Sequence, residues 1–281
     1  MKKLLPFSLL FTVLFLNAQE KAVPVFKNGE AQIIDAFNTP NKWIRHDLWV
    51  ATNFDTDGDG KKDRMHVSVT RPFQTDTQGL KLPIIYVTSP YFAGVAPETE
   101  GAFWNVKHEI GEEVKGIVHP NVVRRGKRPI ISNSHIRKWV PRGYIVVHSS
   151  SPGTGLSQGA PTVGGQNESL APKAVIDWLC GRTNGYTEPY GNNTVLAYWS
   201  TGKVGMTGTS YNGTLPLAAA TTGVEGLEAI IPIAPNTLNH TIPARVGAIR
   251  TPVINSFIVL PLDILAIKAA ENGAQAIHHA Q

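Results

Sequence analysis

The sequence is poor in cysteine, in long apolar runs and in clustered charge. Its 281 residues include a single cysteine, Cys180, so an intramolecular disulfide is excluded. That cysteine lies in the apolar stretch Val175–Cys180, which predicts a small buried hydrophobe rather than a nucleophile. The chain also lacks internal repeats and low-complexity tracts, and 42% of its residues are hydrophobic. These features predict a globular protein and argue against a repeat array or a disordered chain.

Positive charge is present but is not gathered into one stripe. The net charge is +5, from 26 basic and 21 acidic residues, and the densest basic run is Arg124–Arg128. Such a run is typical of a solvated loop, so nucleic-acid binding is not indicated. The sequence carries no signal for the oligomeric state.

The N-terminus has the pattern of an export signal. Lys2 and Lys3 precede the apolar run Leu4–Leu16, and the small residue Ala18 follows. This pattern predicts a signal peptide over residues 1–18 and a secreted or periplasmic protein. The apolar run is short for a membrane span, and no later run approaches that length, so we expect no membrane association after cleavage.

Strand and helix patterns alternate through residues 19–236. Strands are predicted at 43–53, 64–71, 83–88, 144–148, 203–207 and 227–233, and helices at 134–140, from Asn167 or Ser169 to Arg182, and at 211–222. This order predicts an α/β fold with a mostly parallel sheet, helices on both faces and an antiparallel edge at its start. Residues 92–129 and 183–200 read as a loop-rich excursion and a turn-rich stretch.

A glycine-flanked serine follows one predicted strand and precedes a helix. Gly208 lies two residues before Ser210, and Gly213 lies three residues after it. A nucleophilic serine needs a sharp strand-to-helix turn, where converging backbones leave no room for side chains. The free N–H groups of the following helix can then receive an oxyanion. The pattern G-x-S-x-x-G departs from the common G-x-S-x-G because Asn212 occupies the second position after the serine.

The hairpin loop Asp55–Asp63 has two interpretations. Its Asp and Gly residues favour a tight polar turn, but D-x-D-x-D-G spacing also resembles a calcium loop. Position 12 is His66 where a bidentate Glu would be expected, and strands flank the loop instead of helices. The sequence therefore leaves calcium binding open beside the plain turn.

Several segments resemble the Xaa-Pro dipeptidyl-peptidase family, which is related to cocaine esterase and the α-amino-acid ester hydrolases. The resemblance covers about residues 45–235 and lies in the segments 57–60, 153–155, 174–182, 208–213 and 219–228. It implies an α/β-hydrolase fold and cleavage of peptides with proline at the second position. An acyl-enzyme would form on Ser210, with no cofactor. The resemblance also implies two oxyanion donors, the backbone N–H of Tyr211 and the hydroxyl of Tyr91.

Two other functions remain open at this point. An esterase or amidase acting on α-amino-acid esters or β-lactam side chains would use the same chemistry on another acyl group. An inactive remnant or a calcium-binding secreted module would leave Ser210 without a catalytic role.

The acid and base that should follow the serine are the weak point of the pattern. Asp263, His278 and His279 have the right order, but in the family these groups lie much farther downstream. Beyond about Asn236 the resemblance ends, which predicts a divergent tail over residues 237–281. We therefore expect an N-terminal portion of an enzyme, truncated or frameshifted, with an exposed sheet edge, poor solubility and little turnover.

Overall fold

The computed structural model describes residues 21–92 and 133–235. The predicted signal peptide (1–18), most of the predicted excursion (93–129) and the predicted tail (237–281) lie outside these ranges, so those assignments stay predictions. Within the described ranges, no helix has the length and apolar character that crossing a membrane requires.

Strands and helices alternate along the described chain. The strands are β1 (Phe26–Lys27), β2 (Glu30–Ala31), β3 (Ile44–Ala51), β4 (Arg64–Arg71), β5 (Leu82–Ser89), β6 (Ile145–Ser150), β7 (Gly185–Tyr186), β8 (Thr194–Val195), β9 (Ser200–Thr209) and β10 (Leu227–Ile233). The helices are α1 (Gln74–Thr77), α2 (Ser134–Trp139), α3 (Gln166–Leu179) and α4 (Tyr211–Ala220), with 3₁₀ turns at Pro40–Lys42 and Val140–Arg142.

Eight of these strands form one mixed sheet, in the order β10-β9-β5-β6-β4-β3-β7-β8. The four strands from β10 to β6 are parallel, and each pairing from β6 to β8 is antiparallel. The predicted α/β architecture, with a parallel sheet and an antiparallel edge, is therefore confirmed. The antiparallel part extends farther than predicted because β7 and β8 form within the stretch 183–200, which was predicted to be rich in turns.

Helices cover both faces of the sheet. Side chains alternate along each strand, so a strand such as β6 sends apolar side chains to the helices on either side. Ile145 and Val147 of β6 belong to the large core cluster that includes Val175 of α3. Val146, between them, points the other way and packs with Ile136 of α2. All six β6 residues are buried, as expected for a strand covered on both sides.

The start of α3 differs from the prediction. Asn167 or Ser169 was expected to cap this helix, but it begins at Gln166, so both residues lie inside it. No side chain at the N-cap position bonds to the helix. Instead, the carboxylate of Glu168 reaches back and accepts a hydrogen bond from the backbone N–H of Gly164 at 2.6 Å. The first-turn carboxylate thus ties the loop before α3 to the helix, and it bonds to an N–H that lies outside the helix.

Strand β10 is the outermost strand on its side of the described sheet. Two of its large apolar side chains, Ile231 and Ile233, are 60% and 49% exposed. The sequence predicted an exposed edge with an uncovered apolar surface; since the residues that follow β10 lie outside the described ranges, this stays a prediction.

Candidate active site

The predicted site residues lie at the carboxyl ends of the parallel strands. Tyr91 comes two residues after β5, and Ser210 comes directly after β9. The glycine-rich loop 151–165 connects the end of β6 to α3. Since parallel strands end at one edge of a sheet, these three connections meet there, where open α/β sheets bind their ligands.

Ser210 occupies a sharp turn between β9 and α4. Its φ of 61° and ψ of −127° belong to a region that residues with a Cβ rarely adopt. Its backbone N–H donates to the carbonyl of Ile233 at 2.9 Å, which ties the turn to the end of β10. The residue is exposed, so its hydroxyl is accessible to a substrate. This is the placement that the glycine-flanked serine predicted.

Both flanking glycines are required by close backbone approach. A Cβ on Gly208 would lie 2.2 Å from the carbonyl oxygen of Asn212, and a Cβ on Gly213 would lie 2.7 Å from the carbonyl oxygen of Ile233. Neither distance is compatible with a side chain. This contact explains why the glycine follows the serine by three residues. Gly213 is the residue that packs against the end of β10, so it is the position that must lack a side chain.

The backbone N–H of Tyr211 is the first N–H of α4. Such groups have no acceptor within their own helix and carry part of the positive end of the helix dipole. Ser210 and this N–H are adjacent along the chain, so a carbonyl attacked by the serine can place its oxygen beside the N–H. The side chain of Tyr211 points inward and is only 6% exposed.

Tyr91 lies beside Tyr211. The two rings are edge to face, with centroids 6.2 Å apart. The backbone N–H of Tyr91 donates to the Ser89 hydroxyl at 3.0 Å, which fixes the turn after β5. Burial, and then the nearby Glu168 carboxyl, raise the pKa of the Tyr91 phenol, so the phenol keeps its proton and can donate a hydrogen bond. The structure thus brings the three predicted residues together, while their catalytic roles stay predictions.

Glu168 was not predicted as part of the site. It is 3% exposed, and its Oε2 accepts hydrogen bonds from the Tyr211 hydroxyl at 2.5 Å and from the Gly164 N–H at 2.6 Å. Burial raises the pKa of this carboxyl to about 7, although both hydrogen bonds act in the opposite direction. A sequence signal existed: Glu168 precedes the buried Ala171 and Val175 by three and seven residues, so it lies on the apolar stripe of α3.

The Asp55–Asp63 loop forms a turn in which three carboxylates lie close together. Oxygens of Asp55, Asp57 and Asp63 are within 4.8 Å of one another. Both oxygens of Asp55 accept hydrogen bonds from backbone N–H groups of the loop, at 2.8 and 2.9 Å. His66 is buried in β4, with its Nε2 3.1 Å from Asp47 and not in the cluster. Calcium binding here stays a prediction.

Asp263, His278 and His279, the candidate acid and bases, lie outside the described residues.

Comparisons with known proteins identify similar sequences over most of this chain. The family model described as X-Pro dipeptidyl-peptidase (S15 family) matches residues 57–279. A protein of Rhodopirellula baltica, named provisionally as an Xaa-Pro dipeptidyl-peptidase, is 64% identical over 234 residues, which are 83% of this chain and 37% of that protein. The Xaa-Pro dipeptidyl-peptidase of Ligilactobacillus salivarius is 38% identical over 234 residues, 74% of this chain and 28% of that protein. The chain thus spans about a third of the length of these relatives.

Two solved structures are similar at lower identity. An α-amino acid ester hydrolase aligns with 80% of this chain and 30% of its own, at 20% identity and a TM-score of 0.43. A CocE/NonD family hydrolase from Staphylococcus aureus aligns with 79% of this chain and 33% of its own, at 19% identity and a TM-score of 0.45.

Proposed function

Because the chain belongs to the X-Pro dipeptidyl-peptidase (S15) family of serine hydrolases, we propose that it carries the nucleophile and oxyanion site of an enzyme that releases Xaa-Pro dipeptides from peptide N-termini. The observation that carries this proposal is the exposed Ser210 in its strained strand-to-helix turn, between two glycines at which a Cβ would clash with neighbouring backbone. Strained backbone conformations cluster at functional sites, where the strained geometry is part of the mechanism.

The proposed reaction is acyl transfer in two steps. The Ser210 Oγ attacks the carbonyl carbon of the proline and loses its proton to a base, while the carbonyl oxygen becomes an oxyanion. The Tyr211 N–H and the Tyr91 hydroxyl receive that charge, and each such donor contributes a factor of about 10² to 10³ in rate. Collapse of the intermediate breaks the C–N bond and expels the protonated amine of the remaining peptide. Water then hydrolyses the acyl-enzyme to free dipeptide.

The test combines covalent labelling with a choice of substrates. A fluorophosphonate probe should label the 281-residue chain at Ser210, located by peptide mass spectrometry, and should not label Ser210→Ala. Ala-Pro p-nitroanilide should release nitroaniline, even if slowly, and p-nitrophenyl butyrate serves as the comparison. Absence of labelling would show that Ser210 is not a reactive nucleophile in this chain. Hydrolysis of the butyrate ester with none of the anilide would instead indicate an esterase.

A further inference from the structure

A buried carboxyl is hydrogen-bonded to the side chain of the residue that follows Ser210. Glu168, in the first turn of α3, is surrounded by protein and exposes 3% of its surface. Its Oε2 accepts two short hydrogen bonds, from the Tyr211 hydroxyl and the Gly164 N–H. The same N–H also approaches the Tyr211 hydroxyl at 3.3 Å. The carboxyl therefore joins the loop after β6 to the first residue of α4.

Capping of α3 does not explain this arrangement. An exposed Ser, Asn or Asp can satisfy a helix N-terminus, whereas a buried acid is costly unless it is specifically paired. Here the pairing is with the side chain of the residue whose backbone N–H is the first of α4. Tyr211 is consequently fixed at both ends, by the turn at its backbone and by Glu168 at its hydroxyl.

The contact also extends to the second proposed donor. The Tyr91 ring packs edge to face on the Tyr211 ring, and the two residues form a small apolar cluster with Leu215 and Val163. A movement of the Tyr211 ring would therefore displace Tyr91. Among residues 21–92 and 133–235, the titratable groups that face Glu168 are these two phenols, Tyr211 from α4 and Tyr91 from the turn after β5.

We propose that Glu168 is a positioning residue of the oxyanion site, which holds the Tyr211 hydroxyl and thereby fixes the backbone N–H of Tyr211 and the Tyr91 phenol relative to Ser210. This inference rests on the proposed function, since the positions of the donors matter only if Ser210 forms an oxyanion. Burial raises the pKa of the Glu168 carboxyl to about 7, so the strength of its bond to Tyr211 changes near neutral pH. An ionised carboxylate is the stronger acceptor.

The first test measures the rate of fluorophosphonate reaction at Ser210. Glu168→Ala should lower this rate by about 10- to 100-fold, since small misplacements of reacting groups have effects of that size. Glu168→Gln, which keeps an acceptor oxygen, should stay within about threefold of wild type. Glu168→Ala combined with Tyr211→Phe should react no more slowly than Glu168→Ala alone, because both changes break one contact. Asp177→Asn is the matched control, since this carboxylate of α3 pairs with Lys173 and Arg182 away from the site.

The second test does not depend on reactivity, so it separates failure of this inference from failure of the proposed function. In protein labelled with ¹³Cζ-tyrosine, one NMR signal should titrate with a midpoint near pH 7. That signal should be absent in Tyr211→Phe and should stop titrating in Glu168→Gln. A folded Glu168→Ala that reacts like wild type would overturn the inference, as would a Tyr211 signal that is the same in Glu168→Gln and wild type across the titration. If Glu168→Ala does not fold, the NMR comparison with Glu168→Gln decides.

Discussion

The backbone strain at Ser210 can be measured with two substitutions at that residue. With φ 61° and ψ −127°, Ser210 has a conformation that glycine adopts readily and that costs other residues about 1–3 kcal/mol. Ser210→Gly removes the Cβ, Ser210→Ala keeps it, and both remove the hydroxyl. We expect the glycine variant to be more stable by about 1 kcal/mol. Relief of the strain should outweigh the roughly 0.5–1 kcal/mol that glycine loses in backbone entropy.

Urea unfolding of the two variants, followed by tryptophan fluorescence, measures this difference. Trp178 and Trp199 are suitable reporters because both are buried in the core, with ring centroids 5.7 Å apart. A difference of 1 kcal/mol corresponds to about 2–4 °C in Tm for a domain of this size.

A matched control lies in the middle of α3. There, Ala174→Gly should destabilise the protein by about 1 kcal/mol, since glycine is unfavourable in an ordinary helix. The comparison of alanine with glycine should thus change sign between residues 174 and 210. If Ser210→Ala is as stable as Ser210→Gly, the turn stores no strain and the reasoning is refuted.

Three further predictions concern neighbouring residues. Gly208→Ala should lower the rate of fluorophosphonate labelling by more than about tenfold, because the added Cβ would lie 2.2 Å from the Asn212 carbonyl oxygen. A normal labelling rate would show that the turn adapts to the side chain. Tyr91→Phe should lower labelling by about 10²-fold with an unchanged Tm, since only the hydroxyl is lost; an unchanged rate would remove Tyr91 from the oxyanion site. The third prediction concerns stability against pH. Burial raises the pKa of Glu168 from 4.5 to about 7, so the stability this group contributes is fully present below pH 4.5 and is lost as the pH rises to about 7. The stability advantage of Glu168→Gln over wild type, from urea unfolding, should therefore grow by up to about 3 kcal/mol across this window, and a constant difference would contradict the burial argument.

The strands and the serine turn could be predicted because their signals are local. Apolar runs and alternation identified the strand at Arg64–Arg71 and the strand at Leu227–Ile233 with the bounds that the structure shows. The glycines around Ser210 are required by close backbone contacts within a few residues of the serine, so their spacing in the sequence predicts the sharp turn. The short strands β7 and β8 were missed because two-residue pairings leave no periodicity, and they form only where β3 offers a free edge.

Glu168 shows what local signals leave out. Residues 167–169 are all polar and all suit a helix N-terminus, Asn167 and Ser169 as caps and Glu168 in the first turn, so propensity cannot decide which of them points inward. The decision depends on the angle of α3 relative to the sheet, which places Glu168 on the same stripe as Ala171 and Val175. A carboxylate on an apolar stripe needs a partner from another segment, and here that partner is the residue after Ser210. In an α/β sheet, a polar residue that continues a buried helix face is therefore a reason to look for a contact with the site at the carboxyl edge.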